Sequence, residues 1–179
     1  MSTSLSPADL QVVAVHPDDP LTAPLLADLA VEYDARYGDL FGGAAEELNR
    51  YPAEAFLPPS GAFALLVEDG VAVAGGAYMA HPSGAAEVKR MWTATSHRRR
   101  GLARRVLTEL ERRAATAGYD HLYLTTGPRQ PEARDLYLAT GWTPLFDPSV
   151  PRPTDLETLR GLPVADRLYA FTKQLGDPA

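Results

Sequence analysis

An excess of positive charge lies at one place in an otherwise acidic chain. Between His97 and Arg113, seven arginines are set against two glutamates, a local balance of +5, whereas the whole chain has a net charge of −6. Such a local reversal of sign favours a localised anionic ligand over a generally basic surface. The arginines are Arg98, Arg99, Arg100, Arg104, Arg105, Arg112 and Arg113.

A helix is predicted to begin inside this arginine cluster. No Ser, Thr, Asp or Asn occupies positions 99 to 101, so the first N–H groups of the helix lack a side-chain acceptor. A phosphate could take that place, because free N–H groups, the helix dipole and guanidinium groups favour it, and Gly101 allows close approach. The spacing that predicts this helix, with Gly118 as its stop, comprises Leu102, Ala103, Val106, Leu107, Leu110 and Ala114.

Two motifs in this part of the chain resemble those of a known family. Residues 98–103 read Arg-Arg-Arg-Gly-Leu-Ala, and the order Arg-x-x-Gly-x-Ala resembles the acetyl-CoA pyrophosphate loop of the GNAT superfamily of N-acetyltransferases. Residues 133–142 are similar to the family signature Ala-x-x-Leu-Tyr-x-x-x-Gly-Phe, with Trp142 in place of Phe. The resemblance covers about residues 63–146. One departure is Gln130, which stands where the family commonly has Asn.

The resemblance implies both a fold and an activity. The expected fold is α/β (α+β), a single domain with a mixed sheet of about seven strands and about four helices, in which parallel strands 4 and 5 splay apart. The expected activity is transfer of an acetyl group from acetyl-CoA to a primary amine of a small molecule or protein, by direct attack in a ternary complex. A catalytically silent acyl-CoA-binding sensor or regulatory module is the alternative, because it would have the same fold.

The resemblance also assigns residues to the cofactor. Backbone groups of Met91, Trp92 and Thr93 are expected to bond the pantetheine arm. One such N–H would stabilise the oxyanion of the tetrahedral intermediate, by roughly 3 kcal/mol in known oxyanion holes. The residues expected around the pyrophosphate are Arg98, Arg99, Arg100, Gly101, Leu102, Ala103 and Arg104.

Tyr137 is the candidate general acid for the leaving thiolate. A phenol with a pKa near 10 is protonated at neutral pH and close enough in acidity to a thiol to transfer a proton. The alternative is a structural role, because Ala133, Leu136, Tyr137 and Thr140 share one face of a predicted helix.

Glu87 is the candidate base for the amine, acting directly or through a water. Strand alternation over residues 86–95 predicts that Glu87, Lys89, Met91 and Thr93 share one face, which would place Glu87 near the acceptor. Lys89 could instead neutralise Glu87 in an ion pair. The weaker candidates are His81, His97 and His121.

Composition limits the other classes of protein. The chain has 179 residues and 45% hydrophobic residues, enough for one domain, which we place at residues 9–176 after a loose tail at residues 1–8. It has no cysteine, which excludes disulfides, thiolate metal sites and a thiol nucleophile, and no metal site is expected. A pI near 5.2 argues against a nucleic-acid partner. The absence of a leader and of a long apolar run predicts a cytoplasmic protein with no membrane partner.

Periodicity and turn residues place the remaining elements. The dipeptide Asp69-Gly70 predicts a tight hairpin. Helices are predicted from Asp19 or Thr22 to Gly38 and over residues 44–54, 131–140 and 155–160, the last with Thr154 and Glu157 as a capping box. Strands are predicted over residues 10–15, 63–68, 71–79, 86–95, 119–125, 142–146 and 167–174.

The acceptor is the least defined partner. Residues 1–60 carry ten acids against two arginines, which would favour a cationic amine if these residues border the site, although acids on solvated helix faces would look the same. An insertion at residues 147–165 is predicted to form either a partial lid over the acceptor or an inert excursion on the sheet edge. A homodimer is possible through the C-terminal strands, by analogy with the family.

Overall fold

Seven strands form one mixed sheet in the computed structural model, which describes residues 10–176. The tail predicted for residues 1–8 lies outside the described residues. Neighbouring strands in the sheet follow the order first, second, third, fourth, fifth, seventh, sixth. In chain order they are β1 (Gln11–Ala14), β2 (Ala62–Glu68), β3 (Val71–Ala80), β4 (Ala86–Thr93), β5 (His121–Thr126), β6 (Thr143–Pro144) and β7 (Tyr169–Gln174).

Five α-helices within residues 10–176 accompany the sheet; residue patterns predicted a helix at each of these places, whereas the family resemblance implied about four. The second helix ends at Asn49 and not at residue 54, because Pro52 interrupts it, and a separate 3₁₀ turn follows at Ala53–Phe56. No helix within residues 10–176 is long and apolar enough to cross a membrane. The helices are α1 (Ala23–Tyr37), α2 (Ala44–Asn49), α3 (Leu102–Thr116), α4 (Pro131–Ala139) and α5 (Leu156–Gly161).

Each face of the sheet has its own apolar core. On one face α1 and the 3₁₀ turn contribute Leu25, Leu29 and Phe56, each at most 1% exposed. On the other face the predicted stripe of α3 is confirmed, since all but the partly exposed Ala103 are buried: Leu102, Val106, Leu107, Leu110 and Ala114.

A β-bulge in β4 changes which side chains share a face. Gly75 of β3 pairs with Trp92 of β4, and Ala77 pairs with Lys89. One residue of β3 separates these two pairs but two residues of β4 do, so β4 contains one extra residue. Arg90, with a positive φ of 58°, lies in that interval. Because an extra residue reverses the alternation of side chains, residues before the bulge and after it exchange faces.

The prediction that Glu87 and Met91 share a face is therefore wrong. Met91 packs against the core beneath α3, as Val88 does. Glu87 and Lys89, which alternate with Val88, lie on the opposite face of the sheet, with α1 and α2.

The parallel strands β4 and β5 separate soon after they meet. They pair only at Ala86–Leu122 and Glu87–Tyr123, after which β5 continues to pair with β7. This confirms the predicted splay and opens a cleft between the two strands.

The C-terminal elements are shorter than predicted. β6 contains only Thr143 and Pro144, because Pro144 has no N–H to extend the ladder and the Trp142 N–H donates to Tyr137 O at the end of α4. In the insertion the N-cap is Asp155 and not Thr154, since the Asp155 carboxylate accepts from Thr158 N at 2.8 Å.

Core truncation should separate the packing of α3 from surface effects. Leu110 is 0% exposed, so Leu110→Ala is expected to lower the free energy of unfolding by about 2–5 kcal/mol, through lost burial and a residual cavity. Leu145 is 56% exposed, so Leu145→Ala should change it by less than about 0.5 kcal/mol. Urea denaturation followed by far-UV circular dichroism measures both, and equal losses would contradict the assigned core.

Candidate active site

The separation of β4 and β5 leaves a cleft of about 490 Å³. One wall comes from β4 and the other from β5 and α4, and the loop before α3 closes one end. The cleft thus brings both motif regions together, since Gly101 and Tyr137 line the same space.

The loop that leads into α3 is built to leave amide groups free. Arg99 and Gly101 both have positive φ, 63° and 73°, and Gly101 is the N-cap. A glycine N-cap offers no side-chain oxygen, so no described residue caps the first N–H groups of α3 through its side chain. Alternating backbone handedness turns successive N–H groups toward one side, which is the geometry of an anion-binding turn.

Three guanidinium groups surround this loop without carboxylate partners. Arg98, Arg99 and Arg104 line the cleft, and within residues 10–176 none of them makes an ion pair. Arg100 differs, because its guanidinium binds Glu68 and lies outside the cleft lining. Three of the four predicted arginines are therefore available to an anion in the cleft through their side chains.

Glu68, at the end of β2, anchors the loop from behind. Its carboxylate accepts from His97 Nε2 and from Arg100 Nη2, each at 2.8 Å. These partners, Arg100 first, lower the pKa of Glu68 from 4.5 to about 2. Glu68 could not be predicted from the sequence, because no local pattern links it to a loop some thirty residues further along the chain.

The residues expected beside the pantetheine arm all line the cleft. Ala94 N donates to Val73 O at 2.9 Å, so ladder alternation turns the N–H and C=O of Thr93 away from β3 and those of Trp92 toward it. The Trp92 indole has a separate role, since its Nε1 donates to Asp28 at 2.9 Å. Thr93 therefore has the backbone groups best placed to bond a ligand.

Tyr137 belongs to both the core and the cleft. It is 5% exposed, and its ring contacts those of Trp142 and Phe171 at centroid distances of 5.7 and 5.6 Å. It also lines the cleft, and its hydroxyl has no hydrogen-bond partner among residues 10–176. Burial raises the pKa of Tyr137, so the phenol is protonated at neutral pH.

A second cavity of about 590 Å³ lies on the α1 and α2 side of the sheet. Glu87 is in its wall, 9% exposed and paired with Lys89 at 3.0 Å. The ion pair considered as the alternative for Glu87 is thus present, and it lies inside a cavity rather than on the surface.

The two cavities meet beside the splayed strands. Tyr37 Oη and Thr126 Oγ1 both donate to the Gln130 amide oxygen, at 3.3 and 3.4 Å, and hold this side chain in the junction. A ligand in one cavity can therefore reach a ligand in the other. The residues that line both cavities are Tyr33, Lys89, Thr125, Thr126 and Gln130.

The insertion forms part of the second cavity. Leu159 of α5 is fully buried against Tyr37 and Leu40, next to the end of α1. Val164, near the end of the insertion, and Leu168, just after it, line the cavity. The insertion therefore packs against the end of α1 and contributes to the wall of this cavity.

Family comparison agrees with this architecture. The model of the acetyltransferase (GNAT) family matches residues 26–142, which include both motifs and both cavities' shared walls. The chain belongs to the GNAT acetyltransferase family. The GNAT fold, with β4 and β5 splayed, is the fold that the sequence predicted.

Solved structures share the GNAT fold over almost the whole chain. A GNAT-family acetyltransferase from Staphylococcus aureus is 14% identical, with a TM-score of 0.67 over 94% of this chain and 100% of that one. The yncA protein from Salmonella typhimurium, solved with its cofactor acetyl-CoA, is 16% identical, with a TM-score of 0.66 over 96% and 97%. A search of curated proteins by sequence found no match.

N-acetylglutamate synthase from Neisseria gonorrhoeae, complexed with coenzyme A and N-acetyl-glutamate, is similar over only part of its length. It is 16% identical, with a TM-score of 0.63, and the match covers 96% of this chain but 36% of that one. Two of these three GNAT relatives thus hold coenzyme A or its acetyl thioester, the donor that the sequence motifs imply.

Acidification should weaken the Glu68 anchor. Because the pKa of Glu68 is lower in the folded than in the unfolded protein, its ionised carboxylate stabilises the folded state. This stabilisation is complete above about pH 4.5 and is lost as the pH falls toward 2. Glu68→Gln should therefore lower Tm at about pH 5, and the deficit relative to wild type should shrink by about pH 3. Glu54→Gln, a change at an exposed glutamate, is the control for differential scanning calorimetry. A pH-independent deficit would contradict the anchor.

Proposed function

We propose that this protein is an N-acetyltransferase that moves an acetyl group from acetyl-CoA to a primary amine in a ternary complex. The observation that carries the proposal is the junction of two cavities: the cleft contains Tyr137 and ends at an uncapped helix start, and the second cavity has a buried carboxylate in its wall. Membership of the GNAT family supports the same reaction class.

The cleft residues fit the donor. The free N–H groups at the start of α3, with Arg98, Arg99 and Arg104, would hold the pyrophosphate, because a dianion there gains helix-dipole and charge-assisted hydrogen bonds. Backbone groups of Thr93 would hold the arm along β4. When bound, acetyl-CoA supplies an activated acetyl thioester.

Thr93 also provides the electrostatic contribution to catalysis. Its N–H faces the splayed side of β4, where it can donate to the thioester oxygen as negative charge develops there. A single donor of this kind contributes roughly 3 kcal/mol in known acyl-transfer sites. The donor belongs to the backbone, so the reaction requires the splay and not a threonine side chain.

Tyr137 gives the leaving thiolate its proton. Burial raises the pKa of the phenol, which taken alone would make it a weaker acid. The same dry environment also raises the pKa of a thiol, so the difference in acidity between donor and acceptor changes less than either value. The unpartnered hydroxyl leaves the phenol free to donate.

Glu87 receives the proton of the amine. Its carboxylate lines the second cavity, and the partner Lys89 extends into the junction. An ammonium so close to the junction disfavours a second positive charge there, so the amine is driven toward its neutral, nucleophilic form. Because Glu87 lies on the face opposite Met91, it reaches the amine from the acceptor side, directly or through a water.

Loss of one cleft arginine should weaken donor binding selectively. Arg104→Ala is expected to raise Kd for coenzyme A about tenfold, since a charge-assisted hydrogen bond contributes about 1.5–3 kcal/mol. Arg112→Ala, on the same helix but paired with Glu109 away from the cleft, is the matched control and should bind as wild type does. Isothermal titration calorimetry measures both affinities. Absence of heat when coenzyme A is added to the wild-type protein would contradict the proposed donor site.

Removal of the phenol should affect turnover alone. Tyr137→Phe keeps the ring packing against Trp142 and Phe171, and it is expected to lower kcat about 100-fold while Kd for coenzyme A is unchanged. Tyr119→Phe, which loses a hydroxyl bound to Ser60 O outside both cavities, is the control. Equal turnover for Tyr137→Phe and wild type would exclude Tyr137 as the acid. Tight coenzyme A binding without turnover of any amine would favour the silent acyl-CoA-binding module.

A further inference from the structure

We propose that the acceptor is a small aromatic primary amine that binds in the second cavity. This inference rests on the proposed acetyltransferase function, and it adds the chemical class of the acceptor. The rings in the cavity wall, the pairing of the charges there and the shape of the space support it.

Aromatic rings line the second cavity on three sides. Tyr37 and Phe41 form an edge-to-face pair, 5.4 Å between centroids, at the end of α1. His81 and Tyr123 form a tilted pair at 4.6 Å, where β3 ends and β5 runs. Tyr51, after α2, forms the third side. Rings supplied by separate segments can enclose a flat ligand, because aromatic pairs interact favourably at centroid distances of about 4.5–7 Å.

Charged side chains in the same wall are already paired with one another. Glu87 binds Lys89 at 3.0 Å, and Glu47 binds Arg50 at 3.1 Å. Lys89 Nζ also lies 4.8 Å from the centre of the Tyr51 ring. A ligand with several charges would have to break these pairs, whereas an amine on an apolar aromatic body would not.

Acids of the N-terminal region mostly stabilise the fold. Asp28 accepts from Trp92 Nε1 at 2.9 Å, Asp34 caps α2 through Ala44 N at 3.1 Å, and Asp39 pairs with Arg160 of α5. Their carboxylates are therefore not directed to a polycation, so the acidity of residues 1–60 is weak support for a strongly cationic acceptor.

The shape of the cavity favours a ring over a linear chain. Its volume of about 590 Å³ is within the range of small-molecule sites, and the insertion covers one side through Val164. A linear alkyl amine would leave most of the rings without contact and forfeit their dispersion energy. An aromatic ring could pack against the rings of this wall, and its aminoethyl group could extend toward the junction, where Thr126 and Gln130 line both cavities.

The chemical step balances with the residues present. The amine nitrogen forms a bond to the acetyl carbonyl carbon, and the carbon–sulfur bond of the thioester breaks. The proton lost by the nitrogen goes to the Glu87 carboxylate, and the departing sulfur takes the proton of the Tyr137 hydroxyl. Exchange with solvent then removes the proton from Glu87 and returns one to the Tyr137 phenolate, which restores both residues. The products are an N-acetylated arylalkylamine and coenzyme A.

A panel of amines tests the inference by release of the coenzyme A thiol. We expect kcat/KM for 2-phenylethylamine to exceed that for 1-aminobutane and for spermidine by about tenfold or more, as the loss of a ring from an apolar site costs about that much. A lysine-containing peptide should be a poor acceptor. Equal or higher kcat/KM for any of these aliphatic amines would overturn the proposal.

Saturation-transfer NMR reads the same cavity without turnover. Transfer to the ring protons of 2-phenylethylamine is expected with the free wild-type protein, and 1-aminobutane at the same concentration should show none. Absence of ring transfer would overturn the aromatic acceptor even if coenzyme A binds. Absence of coenzyme A binding, measured by calorimetry, would instead count against the acetyltransferase function.

Substitution of one aromatic residue in the cavity wall, compared with a substitution on the surface, tests the contribution of the rings. Phe41→Leu keeps an apolar side chain at a half-buried loop position, and it should raise KM for 2-phenylethylamine about tenfold without changing KM for acetyl-CoA. Val31→Ala, on α1 at a position 71% exposed and outside both cavities, should leave both constants unchanged. An unchanged KM for the amine in Phe41→Leu would contradict the aromatic wall.

Discussion

The parting of two parallel strands is the constraint on which the site depends. After only two paired positions, Glu87–Tyr123 being the last, β4 and β5 give up their mutual hydrogen bonds. Backbone groups that would ordinarily complete a sheet are then free for a ligand. Both strands stay in the sheet, because β5 pairs with β7 along its whole length and β4 pairs with β3 on both sides of the bulge. One interruption in the ladder creates the cleft, exposes the N–H of Thr93 and lets the spaces on the two faces of the sheet meet.

Charged side chains are distributed differently in the cleft and in the second cavity. Arginines lie where α3 begins, and Arg98, Arg99 and Arg104 of these line the cleft without an ion pair to any residue between 10 and 176. Arg100 is instead tied to Glu68, so that one member of the cluster positions the loop and the others can bind. On the other face, the ion pairs of the second cavity neutralise one another. A chain with a net charge of −6 can thus have a positively charged end of the cleft and a nearly neutral second cavity.

Local patterns predicted the fold well and the site in part. The α3 stripe, the Asp69-Gly70 hairpin, with φ of 53° and 79°, and the splay all follow from spacing, turn chemistry or the family motifs. The face of Glu87 could not be predicted, because a bulge of one residue leaves no mark in a pattern of alternation. Glu68 could not be predicted either, since its contacts cross the sheet. The wall supplied by the insertion depends on tertiary packing of Leu159, which a Pro-rich segment does not encode locally.

That wall has an evolutionary consequence. The insertion borders the second cavity and not the cleft, which is lined mainly by residues of β4, β5, α4 and the start of α3. Leu159 packs against Tyr37 and Leu40, and Arg160 pairs with Asp39, so α5 holds the insertion against the end of α1. Exchange of this segment would therefore change the wall of the second cavity, which is the proposed acceptor site, and leave the residues that line the cleft in place.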